Sequence, residues 1–296
     1  MKYILNLFAV LLDGLTTYWN FFQQGHRYTT YAYADVPAAR RKLDLFLPKN
    51  STGPVPVILF IHGGGWVGGS RKHIQPSILN QLNRGYAIAS IGYSLVWTAK
   101  WPTQIQEIKA SIRWLKANAE TLGLDRDRMI LWGTSAGGHL ANMAGATNDS
   151  SSFQGDLGNP EQDTLVLGTI SWFGLTDFQQ MGHNGFWTWG VERIAHLLLG
   201  ESMRKNPEKA QLLNPIKWIH SNSTPFHFAH GDRDTLTNYH QSVLMHEALC
   251  AKDVDSTCQI LTGLPHADVR FNRPDYFQAS QDFLDRILQP ADTPES

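Results

Sequence analysis

Residues 131–139 read LWGTSAGGH. An apolar run ends in one serine set among glycines, and small and apolar residues follow it at once. RMILWGT before the serine suits a buried strand, and 136–147 after it suits a helix. A sharp strand-to-helix turn puts its middle residue at the carboxyl edge of a parallel sheet, and flanking glycines let the backbone pass without collision. Gly133-Thr134-Ser135-Ala136-Gly137 has that G-x-S-x-G form. The pattern alone also describes a plain glycine-rich turn, so its context has to decide. A serine hydroxyl is a poor nucleophile by itself. If Ser135 reacts, the chain must also supply a base, a group to orient the base, and donors for a developing oxyanion.

Working outward, the same alternation recurs. RRKLDLFLP reads as an alternating strand closed by Pro48, and VPVILFIH as a strand buried on both faces. YAIASIGY, LVLGTISWF, TPFHFAHG and STCQILTG are further strands, and helices are expected over 74–84, 103–121, 136–147, 237–250 and 273–288. Ile105, Ile108, Ile112, Leu115 and Ala119 mark one face of the second helix. This order predicts an α/β fold: a mostly parallel, doubly wound sheet of about eight strands with helices on both faces. Residues 148–163 and 178–200 read as irregular. The second stretch carries Phe186, Trp187 and Trp189 and is expected to form a small cap insertion in a single domain spanning 25–290.

Composition narrows the partners. The 296 residues carry 25 basic and 26 acidic side chains without a long run of one sign, so no nucleic-acid footprint is read. Cys250 and Cys258 lack zinc-ligand spacing and are read as free thiols rather than a pair. No metal and no cofactor is inferred. Residues 1–24 lack a clear cleavage site for a signal peptide. Lys2, Asn6, Asp13, Thr17, Asn20 and Gln24 lie in one narrow stripe, which predicts an amphipathic helix seated on an apolar partner. That partner is the protein's own body or a second copy ahead of a membrane surface, and the compartment expected is the cytoplasm ahead of a secreted or membrane-associated one.

His62-Gly63-Gly64-Gly65-Trp66 follows VPVILFI directly. Consecutive glycines let backbone N–H groups face a cleft, as an oxyanion requires, and this string is a rarer signal than the elbow. A phosphate-cradling loop would continue G-K-[ST], which this one does not. His62 is expected to hold the loop by hydrogen bonds rather than to exchange protons. Downstream, TPFHFAHGDRDTL offers Asp232 and Asp234, and STCQILTGLPHADVRF offers His266. Asp234 lies 99 residues after Ser135, and His266 32 after Asp234, so each falls at the carboxyl end of a successive late strand. Ser, Asp, His is the hydrolase order, with Asp234 favoured as orienter, His266 as base and Asp232 as a turn residue. His227 and His230 point to opposite faces of one strand, which argues against a shared metal. His139 is read as a packing or surface residue.

With HGGGW, GTSAGGH, LDLFLP, IGYSL, WFGLTDF, HGDRD and GLPHA in place, the chain resembles the α/β-hydrolase superfamily over roughly residues 28 to 288. Within it the resemblance is to bacterial feruloyl-esterase-like carboxylesterases related to the hormone-sensitive lipase group. That resemblance implies Ser135 as nucleophile, Asp234 as acid and His266 as base, with oxyanion N–H groups from Gly64, Gly65 and Ala136. It implies a serine carboxylesterase acting on small esters with short acyl or aryl groups, without cofactor. An arylformamidase-type amide hydrolase and a catalytically silent ligand-binding relative are the other readings. Trp66, Phe186, Trp187 and Trp189 are candidate substrate contacts. Where the family often has Val-Pro after the acid, this chain has Thr235-Leu236-Thr237.

Overall fold

The computed structural model describes residues 27–35, 39–49, 51, 53–148, 150–180 and 186–288. Residues 1–24, and with them the expected amphipathic helix, lie outside the described residues.

The sheet is built around β3 (Val55–Ile61), whose seven residues are all buried. Val57, Leu59 and Ile61 pack with Ile105, Ile108 and Ile112, while Ile58 and Phe60 pack with Phe277, Phe283 and Leu284. A strand with aliphatic and aromatic side chains on both faces is stable only when both are covered. The two covers are α2 (Thr103–Ala117) on one side and α8 (Pro274–Leu288) on the other. The remaining strands are β1 (Tyr28–Ala32), β2 (Lys42–Phe46), β4 (Ala87–Ile91), β5 (Leu124–Thr134), β6 (Gly168–Trp172), β7 (Phe226–Gly231) and β8 (Ser256–Leu261). Their order is β1-β2-β4-β3-β5-β6-β7-β8. β1 and β2 are antiparallel to their neighbours, and the strands from β4 to β8 run parallel. The carboxyl ends of β3, β5, β7 and β8 therefore lie along one edge. Loops from 62, 135, 232 and 262 onward leave the sheet there.

The expected strands and the helices over 136–147 and 273–288 form close to their predicted bounds, as α4 (Ala136–Ala146) and α8. The differences are local and have physical reasons. β1 went unread because its pattern YTTYA is largely exposed on the sheet edge and gives little apolar alternation. The 74–84 segment is a four-residue α1 (Pro76–Leu79) that tightens into a 3₁₀ turn. The long helix over 103–121 breaks at Asn118, whose side-chain amide donates to the Trp114 carbonyl, 2.8 Å away. Beyond the break, α3 (Ala119–Leu122) ends on Gly123 at φ 66°.

The reading of 178–200 as irregular is corrected. It contains a 14-residue helix, α5 (Phe186–Leu199), whose Val191, Ala195 and Leu198 are buried. A five-residue α6 (Pro207–Gln211) follows. The helix expected at 237–250 begins three residues later, as α7 (His240–Cys250), because Thr237 and Asn238 serve the preceding loop.

Candidate active site

β5 ends in a bend that the serine itself makes. Ser135 has φ 54° and ψ −119°, a region costly for a residue with a Cβ, at roughly 1–3 kcal/mol. The bend is held by neighbours: the Ser135 amide donates to the Trp172 carbonyl at 2.9 Å, and the His139 amide to the Ser135 carbonyl at 2.9 Å. Glycine at 137 is required by contact. A Cβ there would lie 2.0 Å from the Ile61 carbonyl oxygen. The start of α4 is thus pressed against the end of β3. Ala136 is the first residue of α4, so its amide belongs to the N–H groups that a helix leaves without an internal partner.

The H-G-G-G loop sits against this bend. A Cβ on Gly63 would lie 3.2 Å from Ser135 Cβ. Gly64 and Gly65 have φ of 120° and 61°. The Gly64 carbonyl accepts from the Val67 and Gly68 amides at 3.2 and 3.0 Å. Gly64 tolerates no side chain, since its Cβ would meet the Gly68 carbonyl oxygen at 2.5 Å. His62 donates from Nδ1 to the Gly63 carbonyl at 2.7 Å, its ring stacks on Tyr93, and the Tyr93 hydroxyl donates to the His62 carbonyl at 2.9 Å. Burial, aided by the charges of Arg40 and His73, pushes His62 down to about 3. It is therefore neutral at ordinary pH and shapes the loop, as expected.

Sequence reading missed Arg40, which lies before β2. Its Nη2 donates to the Gly69 carbonyl at 2.7 Å and lies 3.4 Å from His62 Nε2, while Nε donates to the Tyr93 carbonyl at 2.7 Å. One guanidinium thus ties the far end of the loop to the sheet edge. The basic stretch AARRK at 38–42 carries no motif that would reveal this.

Asp234 and His266 come from the loops after β7 and β8. Asp234 is buried, and its Oδ2 lies 2.6 Å from His266 Nδ1. His266 Nε2 lies 2.9 Å from Ser135 Oγ. With Nδ1–H given to the carboxylate, Nε2 presents its lone pair, and the Ser135 hydroxyl donates to it. Asp234 Oδ1 accepts the amides of Leu236 and Thr237 at 2.9 and 2.8 Å. Oδ2 also receives His230 Nε2 at 3.1 Å and the Thr237 hydroxyl at 2.9 Å. Burial alone would raise the Asp234 carboxyl. The charges and hydrogen bonds of His266 and His230 outweigh it and hold the group well below the usual carboxylate range. Phe173 packs on the His266 ring at 4.8 Å between centroids. Asp232 stays out of this line: its Oδ1 accepts the Gly263 amide at 2.7 Å and ties the two loops together.

The other candidates fall as follows. His139 is buried; its Nε2 donates to the Leu213 carbonyl at 2.7 Å, and burial pushes it down to about 4. Trp66 is 2% exposed and packs on His139 and Phe178, with ring centroids 5.0 and 5.9 Å away. Phe186, Trp187 and Trp189 open α5, and their side chains lie outside the described residues. Further along α5, Ile194 Cδ1 is 3.6 Å from the position of a Cβ on Gly65, so this helix borders the loop. Its last turn is joined to the chain before α2, where the Leu198 carbonyl accepts the Trp101 amide at 2.8 Å.

His227 donates to or accepts from Thr257, and His230 meets Ser242, on opposite faces of β7. Cys250 and Cys258 are both free thiols. Among the described residues no group of three or more His, Cys, Asp or Glu is arranged to hold a metal ion. Nor is any described helix long and apolar enough to cross a membrane.

Known proteins share both this chain's sequence pattern and its shape. Esterase LipC of Mycobacterium tuberculosis is 32% identical over 213 residues, which are 71% of this chain and 52% of LipC. The chain spans about half the length of the curated relatives it matches. A truncated carbohydrate esterase from gut microbiota superposes with a TM-score of 0.79 at 26% identity, covering 88% of this chain and 96% of that one. A bifunctional GH43-CE protein of Bacteroides eggerthii gives a TM-score of 0.80 at 31% identity, over 88% of this chain and 38% of that one. The fold is that of the α/β-hydrolases. The BD-FAE family model matches residues 43–249, which include the glycine loop, Ser135 and Asp234, and the chain belongs to the BD-FAE family.

Proposed function

We propose that this chain is a serine carboxylesterase that cleaves small esters through an acyl-enzyme on Ser135. The observation that carries the reading is the unbroken line Ser135 Oγ, His266, Asp234, with contacts of 2.9 and 2.6 Å. Ser135 Oγ attacks the ester carbonyl as His266 Nε2 takes its proton. The carbonyl oxygen becomes an oxyanion facing the amides of Gly64, Gly65 and Ala136, and one such donor is worth about 3 kcal/mol of barrier. The ester C–O bond then breaks, His266 returns the proton to the leaving alcohol, and water repeats the sequence to release the acid. Only a neutral His266 can accept the serine proton, so the rate falls on the acid side.

The names of the relatives support an ester substrate, those of a carbohydrate esterase and a GH43-CE protein among the structural neighbours support an ester on a carbohydrate, and the resemblance read in the sequence suggests short acyl groups such as acetyl or feruloyl. α5 borders the Gly65 side of the site, and Phe186, Trp187 and Trp189 at its start are proposed substrate contacts. Trp66 is proposed to act from beneath, holding the loop. Residues 1–24 are proposed to rest on an apolar surface of this protein or of a second copy.

The test is hydrolysis of p-nitrophenyl acetate, its longer homologues and acetylated or feruloylated sugars by wild type and by Ser135→Ala. Turnover by the wild type and a loss of at least about 10³-fold in the variant are expected. Hydrolysis of formylkynurenine in preference to every ester would overturn the ester reading in favour of the amide one. A folded wild type that neither turns over any of these nor reacts with a fluorophosphonate would favour the binding reading.

A further inference from the structure

The segment Thr235-Leu236-Thr237 after Asp234 places a hydroxyl beside the carboxylate and the imidazole. Thr237 is buried, and it touches both members of the acid-base pair. Its Oγ1 lies 2.9 Å from Asp234 Oδ2 and 3.0 Å from His266 Nδ1. Its amide donates to the other carboxylate oxygen, Oδ1, at 2.8 Å. Its carbonyl accepts from His230 Nε2 at 2.7 Å, which fixes the backbone from the strand side. The hydroxyl has one hydrogen and two acceptors in reach, Asp234 Oδ2 at 2.9 Å and the Phe173 carbonyl at 3.2 Å. A charged, nearer carboxylate is the stronger acceptor. The methyl group of the same residue leaves no freedom for the hydroxyl to wander, because a β-branched side chain is confined at χ1.

Resting on the esterase reading above, we infer that Thr237 is a positioning residue of this site: its hydroxyl shares Asp234 Oδ2 with His266 and holds the carboxylate in the plane that orients the imidazole. The group does not touch the reacting atoms. It acts by fixing where Oδ2 lies and by taking up part of its negative charge. Two consequences separate it from a residue that merely packs. Without the hydroxyl the carboxylate is freer to rotate, so the imidazole is less well aimed and kcat falls, while the substrate contacts that set KM stay in place. The charge on Oδ2 is also then available to His266 alone. This favours the protonated imidazole and moves the acid limb of the pH–rate profile to higher pH.

The experiment compares Thr237→Val, which keeps the shape and removes the hydroxyl, with Thr237→Ser, which keeps the hydroxyl and removes the methyl. Both are run on p-nitrophenyl acetate beside wild type and Ser135→Ala. A hydrogen bond to a charged group of about 1.5–3 kcal/mol corresponds to a loss of roughly 10-fold to 100-fold. Thr237→Val is expected to lose that much in kcat with KM within about threefold of wild type, and to shift its acid limb upward. Thr237→Ser is expected to recover most of the rate and the wild-type limb.

Wild-type kcat and pH profile in Thr237→Val would overturn the inference, as would equal losses in the valine and serine variants. A lower rate in Thr237→Val with an unmoved acid limb would also overturn it and leave Thr237 a packing residue. Unfolding midpoints of both variants identify a loss that comes from stability alone, which likewise counts against it. Failure of the underlying reading looks different, since the wild type itself would then fail to turn over the ester or Ser135→Ala would keep wild-type activity.

Discussion

The two halves of the site are made of different materials. The loop at 62–69 and the bend at 135 are made of backbone: positive φ at Gly64, Gly65 and Ser135, and contacts that exclude a Cβ at Gly64 and Gly137. The other half is made of side chains: Asp234 is gathered in by His230 of β7, Thr237 of the loop after it and His266 of the loop after β8. A backbone device fails through sterics and has few intermediate states. A side-chain network fails member by member, and each member's loss is read in rate or in pH dependence. The two halves should therefore respond differently to small substitutions.

The largest expected effect tests the side-chain half. Asp234→Asn keeps the volume but removes the anion that sets the His266 tautomer, and its NH₂ must face either the two histidines on the Oδ2 side or the Leu236 and Thr237 amides on the Oδ1 side. A kcat lower by about 10³-fold to 10⁴-fold is expected, with near-native circular dichroism, because orientation and charge are lost without a cavity. A loss under tenfold would mean that the network does not act through Asp234.

The next effect tests the backbone half. Gly64→Ala introduces one methyl group 2.5 Å from the Gly68 carbonyl oxygen at φ 120°. The loop must open, and the N–H groups proposed to face the oxyanion move with it. A fall of about 10² to 10³ in kcat is expected, with KM changed little, as for the loss of one donor. Rates near wild type would show that the loop yields without cost, and the contrast between the halves would collapse.

The smallest effect per residue concerns stability. His62 is pushed down to about 3, and His139 and His227 to about 4, in each case first by burial. An unfolded histidine titrates near about 6.5, so between that value and the folded ones the unfolded chain binds more protons. Stability is fully present above about pH 6.5 and falls as pH drops toward 4, by about 1 kcal/mol per residue at pH 5.5. The depressed carboxyl of Asp234 acts in a lower window, beginning below about pH 4, and leaves this comparison clear. Urea midpoints at pH 7.5 and 5.5 check the sign, and an equal or higher midpoint at 5.5 would contradict it.

The backbone half was legible in the sequence for the reason that makes it brittle. Only glycine meets its steric demands, so LWGTSAGGH and HGGGW record the geometry in residue type. β3 was legible because a strand covered on both faces has to be apolar throughout. The positions of Asp234 and His266 were readable from their order after successive strands. Their companions were not. Thr237 was noted only as a departure from a pattern, His230 as an unlikely metal ligand, and Arg40 not at all, because hydrogen bonding across loops leaves no period and no spacing to read. The helix at Phe186–Leu199 was hidden by its flanking glycines and its tryptophans, which local propensity assigns weakly.

Sequence alone thus determined the sheet, the strand-to-helix bend at Ser135, the glycine loop and the places of Ser135, Asp234 and His266 at the ends of successive strands, since each is fixed by local sterics or by burial periodicity. Tertiary structure decided which side chains share Asp234, that a single arginine ties down the glycine loop, and that α5 borders the site. Those outcomes depend on where separate loops meet in space, and that is set by the packing of the whole sheet.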